Sequence, residues 1–215
     1  MSLAFATAPA VTLAIAGRPE RFPVHRVYCA GRNYAEHAKE MGGDNMREPP
    51  FFFMKPADAL VSGGRFPYPP MSNDVHHEVE LVVALGPGAN VFGHAVGLDM
   101  TRRDLQAVAK KLSRPWDTAK GFDHSAPISE IVPSSAPLTQ GLITLDVNGA
   151  RRQTGDISDM IWSAAEIIRE LNTLFALQAG DLIFTGTPAG VGAVKRGDRL
   201  HATVEGVASL DIEVV

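Results

Sequence analysis

The chain has 215 residues, which suffices for one sizeable domain, and we predict a single domain over residues 1–215. Twenty basic against 24 acidic residues give a net charge of −4, which excludes the basic surplus of proteins that bind nucleic acids or anionic membranes. An apolar fraction of 45% excludes a disordered chain, and the single Cys29 excludes an internal disulfide, so the default location is the cytoplasm. Twenty Gly and 15 Pro indicate many turns and short strands.

The N-terminal segment, residues 1–23, is predicted to be a hairpin that precedes a core over residues 24–215. Residues 10–16 alternate as a strand would, Gly17 begins a turn, and residues 22–29 give the second strand. A secretory signal has basic residues before its apolar run, and none precedes the run here, so no secretory signal is expected. No transmembrane helix is expected either.

Three helices are predicted from capping residues that are followed three positions later by an acidic side chain. Asn33 begins a helix over 34–41, and Thr101 begins another that ends near Leu112. Ser163 with Glu166 is the clearest capping box, and the helix after it extends to Gly180.

Strands are more numerous than helices. Five short segments are rich in apolar or β-branched residues and are bounded by Gly, Asn or Pro; they cover residues 78–85, 143–147, 182–185, 200–204 and 210–215. Asn148-Gly149 is a two-residue hairpin signal between apolar strands. The predicted fold class is therefore α+β and β-rich, with a few short helices.

Carboxylates in the sequence HHEVE (76–80) suggest a metal site. In a strand, Glu78 and Glu80 point the same way about 7 Å apart, so they repel each other unless solvent or a cation intervenes. Asp99, at the end of an apolar run, could supply a third oxygen ligand for Mg²⁺ or Mn²⁺. The alternative is a solvated strand face. His76 and His77 leave zinc open, although adjacent strand residues point to opposite faces.

The first predicted helix carries a candidate general base. His37 and Glu40 are three residues apart and therefore share one face of the helix. A glutamate that orients a histidine and raises its basicity is one way to build a general base. The alternative is an ordinary polar face in which Lys39 pairs with Glu36.

A Gly-rich loop over residues 184–192 follows a predicted strand. It lacks the Walker pattern, and no helix follows it to bind a dinucleotide pyrophosphate. Its backbone N–H groups and the Thr187 hydroxyl could instead bind a carboxylate or an oxyanion. Lys120, an isolated cation between apolar residues, could do the same or be a surface lysine.

Several of these motifs together resemble the fumarylacetoacetate hydrolase family. They agree in order and approximate spacing from about residue 24 to 215, and they are VYCAGRNYAEH (27–37), FMKP (53–56), HHEVE (76–80), GLDMT (97–101), KGF (120–122) and FTGTP (184–188). Within the family, the small single-domain branch of acylpyruvate hydrolases and oxaloacetate decarboxylases is most similar. The segments REPPFFF (47–53) and PW (115–116) most resemble its fumarylpyruvate hydrolases from bacterial gentisate breakdown.

The resemblance implies a catalytic domain with a mixed β-sandwich or β-roll fold, usually in a homodimer. It implies Mg²⁺ or Mn²⁺ on Glu78, Glu80 and Asp99, and a His37–Glu40 dyad on a lid segment. It also places three further residues at positions that contact the keto-acid end of the substrate or its oxyanion, namely Gln106, Lys120 and Thr187.

The expected activity is metal-dependent hydrolysis of a C–C bond in a 2,4-diketo acid, with fumarylpyruvate giving fumarate and pyruvate. Oxaloacetate decarboxylation on the same site is an alternative, and a non-catalytic module that binds structural Ca²⁺ is a distant one. A dicarboxylic substrate would need a distal cation, for which Arg32 and Lys55 are candidates.

Overall fold

The structure, a computed structural model, describes residues 3–35 and 48–215. Its largest unit is a sheet of six short strands. In spatial order these are β12 (Val132–Pro133), β9 (Val91–Leu98), β8 (Val79–Leu85), β15 (Leu182–Phe184), β3 (Val27–Gly31) and β4 (Phe51–Lys55). The sheet is mixed, because β15 runs parallel to β3 and antiparallel to β8.

A second sheet has five strands. In spatial order these are β14 (Ala150–Asp156), β13 (Leu142–Val147), β17 (Arg199–Val204), β18 (Ala208–Val214) and β6 (Arg65–Phe66). Asn148 and Gly149 join β13 to β14 with φ values of 53° and 77°, the left-handed pair that a two-residue hairpin turn requires. The predicted hairpin is therefore confirmed.

Smaller elements surround the two large sheets. The remaining strands are β1 (Thr12–Ile15) with β2 (Arg18–Pro23), β10 (Thr101–Arg102) with β7 (Val75–His77) and β16 (Gly192–Ala193), and β11 (Ala126–Pro127) with β5 (Leu60–Val61). The described α-helices are α1 (Arg103–Lys111), α2 (Asp117–Lys120) and α3 (Ala164–Leu174). Short 3₁₀ turns cover Ala57–Ala59, Pro87–Ala89 and Ile157–Asp159.

The main core lies between the two large sheets. Val79 and Leu81 of β8 and Leu98 of β9 are packed with Ile143 of β13 and Leu200 of β17. All seven residues of β8 are buried, because further side chains and α3 cover the other face of its sheet. The β-rich α+β class is confirmed, and a central strand buried on both faces gives the site a rigid support.

The N-terminal hairpin is present, but one strand boundary was wrong. The second predicted strand, 22–29, is two strands, since β2 ends at Pro23 and β3 begins at Val27. Between them, the His25 N–H donates to the Gly180 carbonyl at 2.8 Å. This hydrogen bond fixes the connection between the hairpin and the six-stranded sheet.

The predicted helices differ in their ends. Thr101 does not cap α1, which starts two residues later, because its hydroxyl donates to Glu78 instead. The capping box of Ser163 and Glu166 is confirmed. Its helix ends at Leu174 rather than near Gly180, since the next residue is extended. Most of the predicted helix over 34–41 falls outside the described residues.

In the described part of the chain, no helix combines the length and apolar character needed to cross a bilayer.

Candidate active site

Three buried carboxylates converge at one end of the six-stranded sheet. The antiparallel register of β8 and β9 pairs Val79 with Leu98, so the flanking residues Glu78 and Asp99 lie side by side. The Asp99 N–H donates to the Glu78 carbonyl at 2.8 Å, and Glu80 lies on the same strand as Val79. One oxygen from each carboxylate lies within 4.8 Å of the others. The triad predicted from spacing is therefore assembled, although Glu78 lies in a break between β7 and β8 rather than in a strand.

Cations contact two members of this triad. Lys120 Nζ donates to Glu78 at 2.8 Å and to Asp99 at 2.6 Å. Lys55 Nζ lies 2.8 Å from Asp99 Oδ1 as an ion pair without hydrogen-bond geometry, and the guanidinium of Arg103 pairs with Glu78. Such charge matching is necessary because an isolated buried carboxylate is strongly destabilised.

Glu80 is the least compensated member of the triad. Its carboxylate accepts a hydrogen bond from the Gly186 N–H at 2.8 Å. Burial raises the pKa of Glu80 well above its usual range, and the charges of Asp99 and Glu78 raise it further. Burial alone would lower the pKa of Lys120, but Asp99 and Glu78 outweigh that effect and raise it. An additional cation beside Glu80 would relieve this excess of negative charge.

The donor set fits a hard divalent cation. Three carboxylate oxygens are ligands that Mg²⁺, Mn²⁺ and Ca²⁺ prefer, whereas zinc prefers nitrogen and sulfur. The two neighbouring imidazoles are engaged elsewhere. His76 Nε2 lies 2.9 Å from Asp74, and His77 Nδ1 lies 2.9 Å from the Gln153 side-chain oxygen. Among the described residues, the three carboxylates form the only such ligand cluster.

Gln153 fixes the loop beside the triad. Its side-chain amide donates to the Thr187 hydroxyl and to the Pro188 carbonyl, both at 2.8 Å. Gly186 has a φ of +98°, and a Cβ there would lie 2.6 Å from the Cβ of Asn33. The loop is thus held close to β14 and to the segment after β3; its Gly186 N–H is directed at Glu80, and Thr187 lines the cleft.

A cleft leads from the triad to solvent and encloses about 380 Å³ of non-atom space, part of it open. Polar groups that converge beside aromatic side chains are typical of small-molecule sites. Besides the triad and Lys120, the residues that line it include Arg32, Phe51, Phe53, Arg103, Gln106, Lys110, Trp116 and Thr187.

The structure brings most of the predicted site residues into this cleft. Gln106 is buried there and accepts a hydrogen bond from Arg103. Lys120 is 3% exposed, so it is not the surface lysine of the alternative interpretation. His37 and Glu40 lie outside the described residues, so their pairing stays a prediction.

Lys55 does not extend toward a distal substrate group. Its side chain is fully buried, and its ammonium pairs with Asp99 and donates to the carbonyls of Lys120 and Met100. Arg32, the other candidate for a distal cation, does line the cleft.

Three contributors were missed by the sequence interpretation, namely Arg103, Lys110 and Gln153. Arg103 could have been found, because it lies three residues before Gln106 on one helix face. Lys110 lies four residues after Gln106, so the same helical spacing would have indicated it. Gln153 gave no signal, since it reaches the site only through the pairing of β14 with β13.

Comparison with known proteins agrees with the fold and identifies the family. The family model described as fumarylacetoacetate (FAA) hydrolase C-terminal matches residues 26–215. The chain therefore belongs to the fumarylacetoacetate hydrolase family, a class defined here by a strand-rich domain with buried acidic residues at one sheet end.

Individual relatives show which members of the family the chain resembles. A fumarylpyruvate hydrolase from Ralstonia sp is 46% identical over 80% of this chain and 95% of the relative. A mitochondrial oxaloacetate tautomerase from Rattus norvegicus is 43% identical over 87% of this chain and 90% of the relative. The crystal structure of fumarylpyruvate hydrolase from Pseudomonas aeruginosa, in complex with Mn²⁺ and pyruvate, superposes with a TM-score of 0.96 at 47% identity, covering 100% and 99% of the two chains.

Proposed function

We propose that this protein hydrolyses a C–C bond of a 2,4-diketo acid with a divalent cation, and that it converts fumarylpyruvate to fumarate and pyruvate. The observation that carries the proposal is the buried triad of Glu78, Glu80 and Asp99 at the closed end of a small-molecule cleft. The similarity to fumarylpyruvate hydrolases, one of them solved with Mn²⁺ and pyruvate, supports the substrate and the metal.

The triad would hold Mg²⁺ or Mn²⁺, which supplies a Lewis acid for the keto-acid end of the substrate when bound. The charges of the surrounding residues suit an anionic substrate. Lys55, Arg103 and Lys120 already pair with Glu78 and Asp99, so three cations and a divalent ion against three carboxylates would leave the closed end with a positive surplus. An α-keto carboxylate would offset that surplus.

The chain's own residues would move the protons. In the proposed mechanism, His37 takes a proton from water while Glu40 holds the imidazole in one orientation. The water oxygen attacks the distal carbonyl carbon, and Lys120, with Thr187, stabilises the resulting oxyanion. The C–C bond next to that carbon then breaks, and its electron pair leaves with the pyruvate fragment, which takes up a proton. Gln106 and Arg32 would orient the substrate.

Oxaloacetate is the second candidate substrate. It presents the same keto-acid end, and the chain is 43% identical to an oxaloacetate tautomerase and 38% identical to a mitochondrial oxaloacetate decarboxylase from Dictyostelium discoideum. Neither reaction needs an attacking water. A His37→Ala variant would therefore abolish hydrolysis but leave part of any metal-driven decarboxylation.

The test is a substrate panel with Mg²⁺ or Mn²⁺ present: fumarylpyruvate, acetylpyruvate and oxaloacetate, with pyruvate release and enol–keto conversion followed separately. We expect pyruvate from fumarylpyruvate, and loss of both turnover and Mn²⁺ binding in Glu78→Ala. A Glu130→Ala variant, on an exposed residue away from the cleft, is the control. Full activity after complete metal removal, or no pyruvate from any diketo acid, would contradict the proposal.

The biological setting is part of the proposal. We infer a cytoplasmic homodimer that acts in the breakdown of aromatic compounds. The dimer and the catabolic role are what the resemblance to the small fumarylpyruvate hydrolases of the family implies. Sedimentation would test the assembly.

A further inference from the structure

Two cations lie at the outer part of the cleft, away from the triad. Arg32 follows β3 and is exposed, whereas Lys110 lies near the end of α1 and is half-buried. Both line the same cleft as the triad. They come from segments that are distant in the sequence, so the fold alone brings them to one opening.

Neither cation has an acidic partner among the described residues. Lys55, Arg103 and Lys120 pair with Glu78 and Asp99 of the triad, and no described carboxylate forms an ion pair with Arg32 or Lys110. Lys110 is instead close enough to Arg32 and Arg103 for their charges to lower its pKa, after the larger effect of burial. Unmatched like charges that converge on a cleft favour an anionic ligand.

Both cations lie over aromatic rings. The Arg32 guanidinium lies 6.0 Å from the centre of the Phe51 ring, and Lys110 Nζ lies 5.3 Å from that of Trp116. The two rings contact each other edge to face, with centroids 5.4 Å apart. Phe53 continues this wall inward, where Lys120 Nζ lies 5.2 Å from its ring centre. The cleft thus has cationic groups on both sides of an aromatic wall.

Arg32 is held in an uncommon backbone conformation. Its φ is 54°, in the left-handed region that residues other than glycine seldom adopt. Such conformations persist where the surrounding structure over-determines them, and they are concentrated at ligand-binding sites. Here the backbone on both sides is fixed, because Gly31 belongs to β3 and the buried Asn33 side chain donates to the carbonyls of Trp162 and Thr185.

We infer that Arg32 and Lys110 bind a second carboxylate of the substrate, at the end opposite the keto acid, and so select dicarboxylic over monocarboxylic acylpyruvates. The inference rests on the proposed function and extends it to the choice of acyl group. The aromatic wall would contact the planar middle of an unsaturated substrate. The two cations are specificity-determining residues, because neither forms an ion pair with the triad.

The first test measures binding without turnover. The probes are 2-oxoheptanedioate and 2-oxoheptanoate, which share an α-keto acid and a seven-carbon chain but differ in the terminal carboxylate. Neither has the second carbonyl that hydrolysis requires. With Mn²⁺ present, calorimetry should show that the wild type prefers the dicarboxylate, and that Lys110→Met or Arg32→Gln reduces this preference roughly ten- to a hundredfold.

The matched control is Lys111→Met, which removes the neighbouring, exposed lysine of α1 that does not line the cleft. It should keep the wild-type preference, and Lys110→Arg should largely restore it. Thermal melts exclude a folding defect. A wild type that does not distinguish the probes, or variants that weaken both probes equally, would overturn the inference.

The second test uses the substrates. The ratio of kcat/KM for fumarylpyruvate to that for acetylpyruvate should fall about tenfold or more in Lys110→Met and stay constant in Lys111→Met. If the wild type cleaves no diketo acid but still prefers the dicarboxylate probe, the proposed function fails and this inference stands. If it cleaves both substrates and the ratio does not change in Lys110→Met, only this inference fails.

Discussion

The two ends of the cleft use charge in opposite ways. At the closed end, Glu78 and Asp99 are buried and each contacts at least two cations. At the mouth, Arg32 and Lys110 lie against aromatic rings without a described carboxylate partner. The difference follows from solvent: a buried charge needs a partner within the fold or has a shifted pKa, as Glu80 does, whereas a partly exposed charge can stay unmatched until a ligand binds. The closed end should therefore govern stability and metal binding, and the mouth should govern ligand choice.

Glu80→Gln should have the largest effect on activity. It should abolish metal binding without lowering the stability of the metal-free protein. The amide keeps the shape and can accept the Gly186 N–H bond, but it removes the ligand charge. We expect loss of tight Mn²⁺ binding and a roughly thousandfold or greater loss of kcat/KM, since a Lewis acid stabilises the transition state by several kcal/mol.

The metal-free Glu80→Gln protein should be at least as stable as the metal-free wild type at pH 8. The pKa of Glu80 is higher in the folded protein than in the unfolded chain, where it is near 4.5. Ionisation of Glu80 therefore lowers the stability of the wild type as the pH rises above 4.5, and the glutamine variant lacks this loss. Urea unfolding with a chelator measures this, with Glu130→Gln as the control. A large loss of stability would mean that the charge of Glu80 supports the fold.

Lys55→Met should cause the largest loss of stability. Its ammonium is fully buried, pairs with Asp99 and donates to two backbone carbonyls, all of which would lose a partner. Removing one member of a buried pair costs about 3–5 kcal/mol. Urea unfolding of the metal-free protein at pH 7.5 gives the value, with Lys111→Met as the exposed control. A change below about 1 kcal/mol would contradict the assignment of Lys55 to the closed end.

Lys110→Met should leave stability within about 0.5 kcal/mol of the wild type, as substitutions near the surface usually do. The methionine can still pack on Trp116, and the repulsion from Arg32 and Arg103 disappears. The same unfolding assay compares it with Lys55→Met. Equal losses in the two variants would remove the proposed contrast between the mouth and the closed end.

The closed end was more predictable from sequence than the mouth. Glu78 and Glu80 are two residues apart, and Asp99 directly follows the apolar run that forms the end of β9, so strand alternation and the end of that run indicated the triad. The mouth is formed by four separate segments of the chain, which bring Arg32 and Lys110 to the same cleft. Of these two residues, the motif indicated only Arg32. No local period encodes that meeting, because it results from the pairing of β4 with β3 and from the packing of α2 against both β4 and α1.

The smallest expected effect is the pH dependence of ligand binding, which should distinguish the mouth from the closed end. Burial, followed by the charges of Arg32 and Arg103, lowers the pKa of Lys110; Glu78 opposes this shift, and Lys120 adds to it. Lys110 binds a carboxylate only when protonated, so raising the pH should weaken 2-oxoheptanedioate binding earlier than an ordinary lysine would. Between pH 7.5 and 9.5 we expect the preference over 2-oxoheptanoate to fall about two- to threefold. Lys110→Arg stays charged throughout this range, so its preference should be constant. Because both proteins share the metal and every other titrating group, an equal decline in the two would show that the pH effect arises elsewhere than at Lys110.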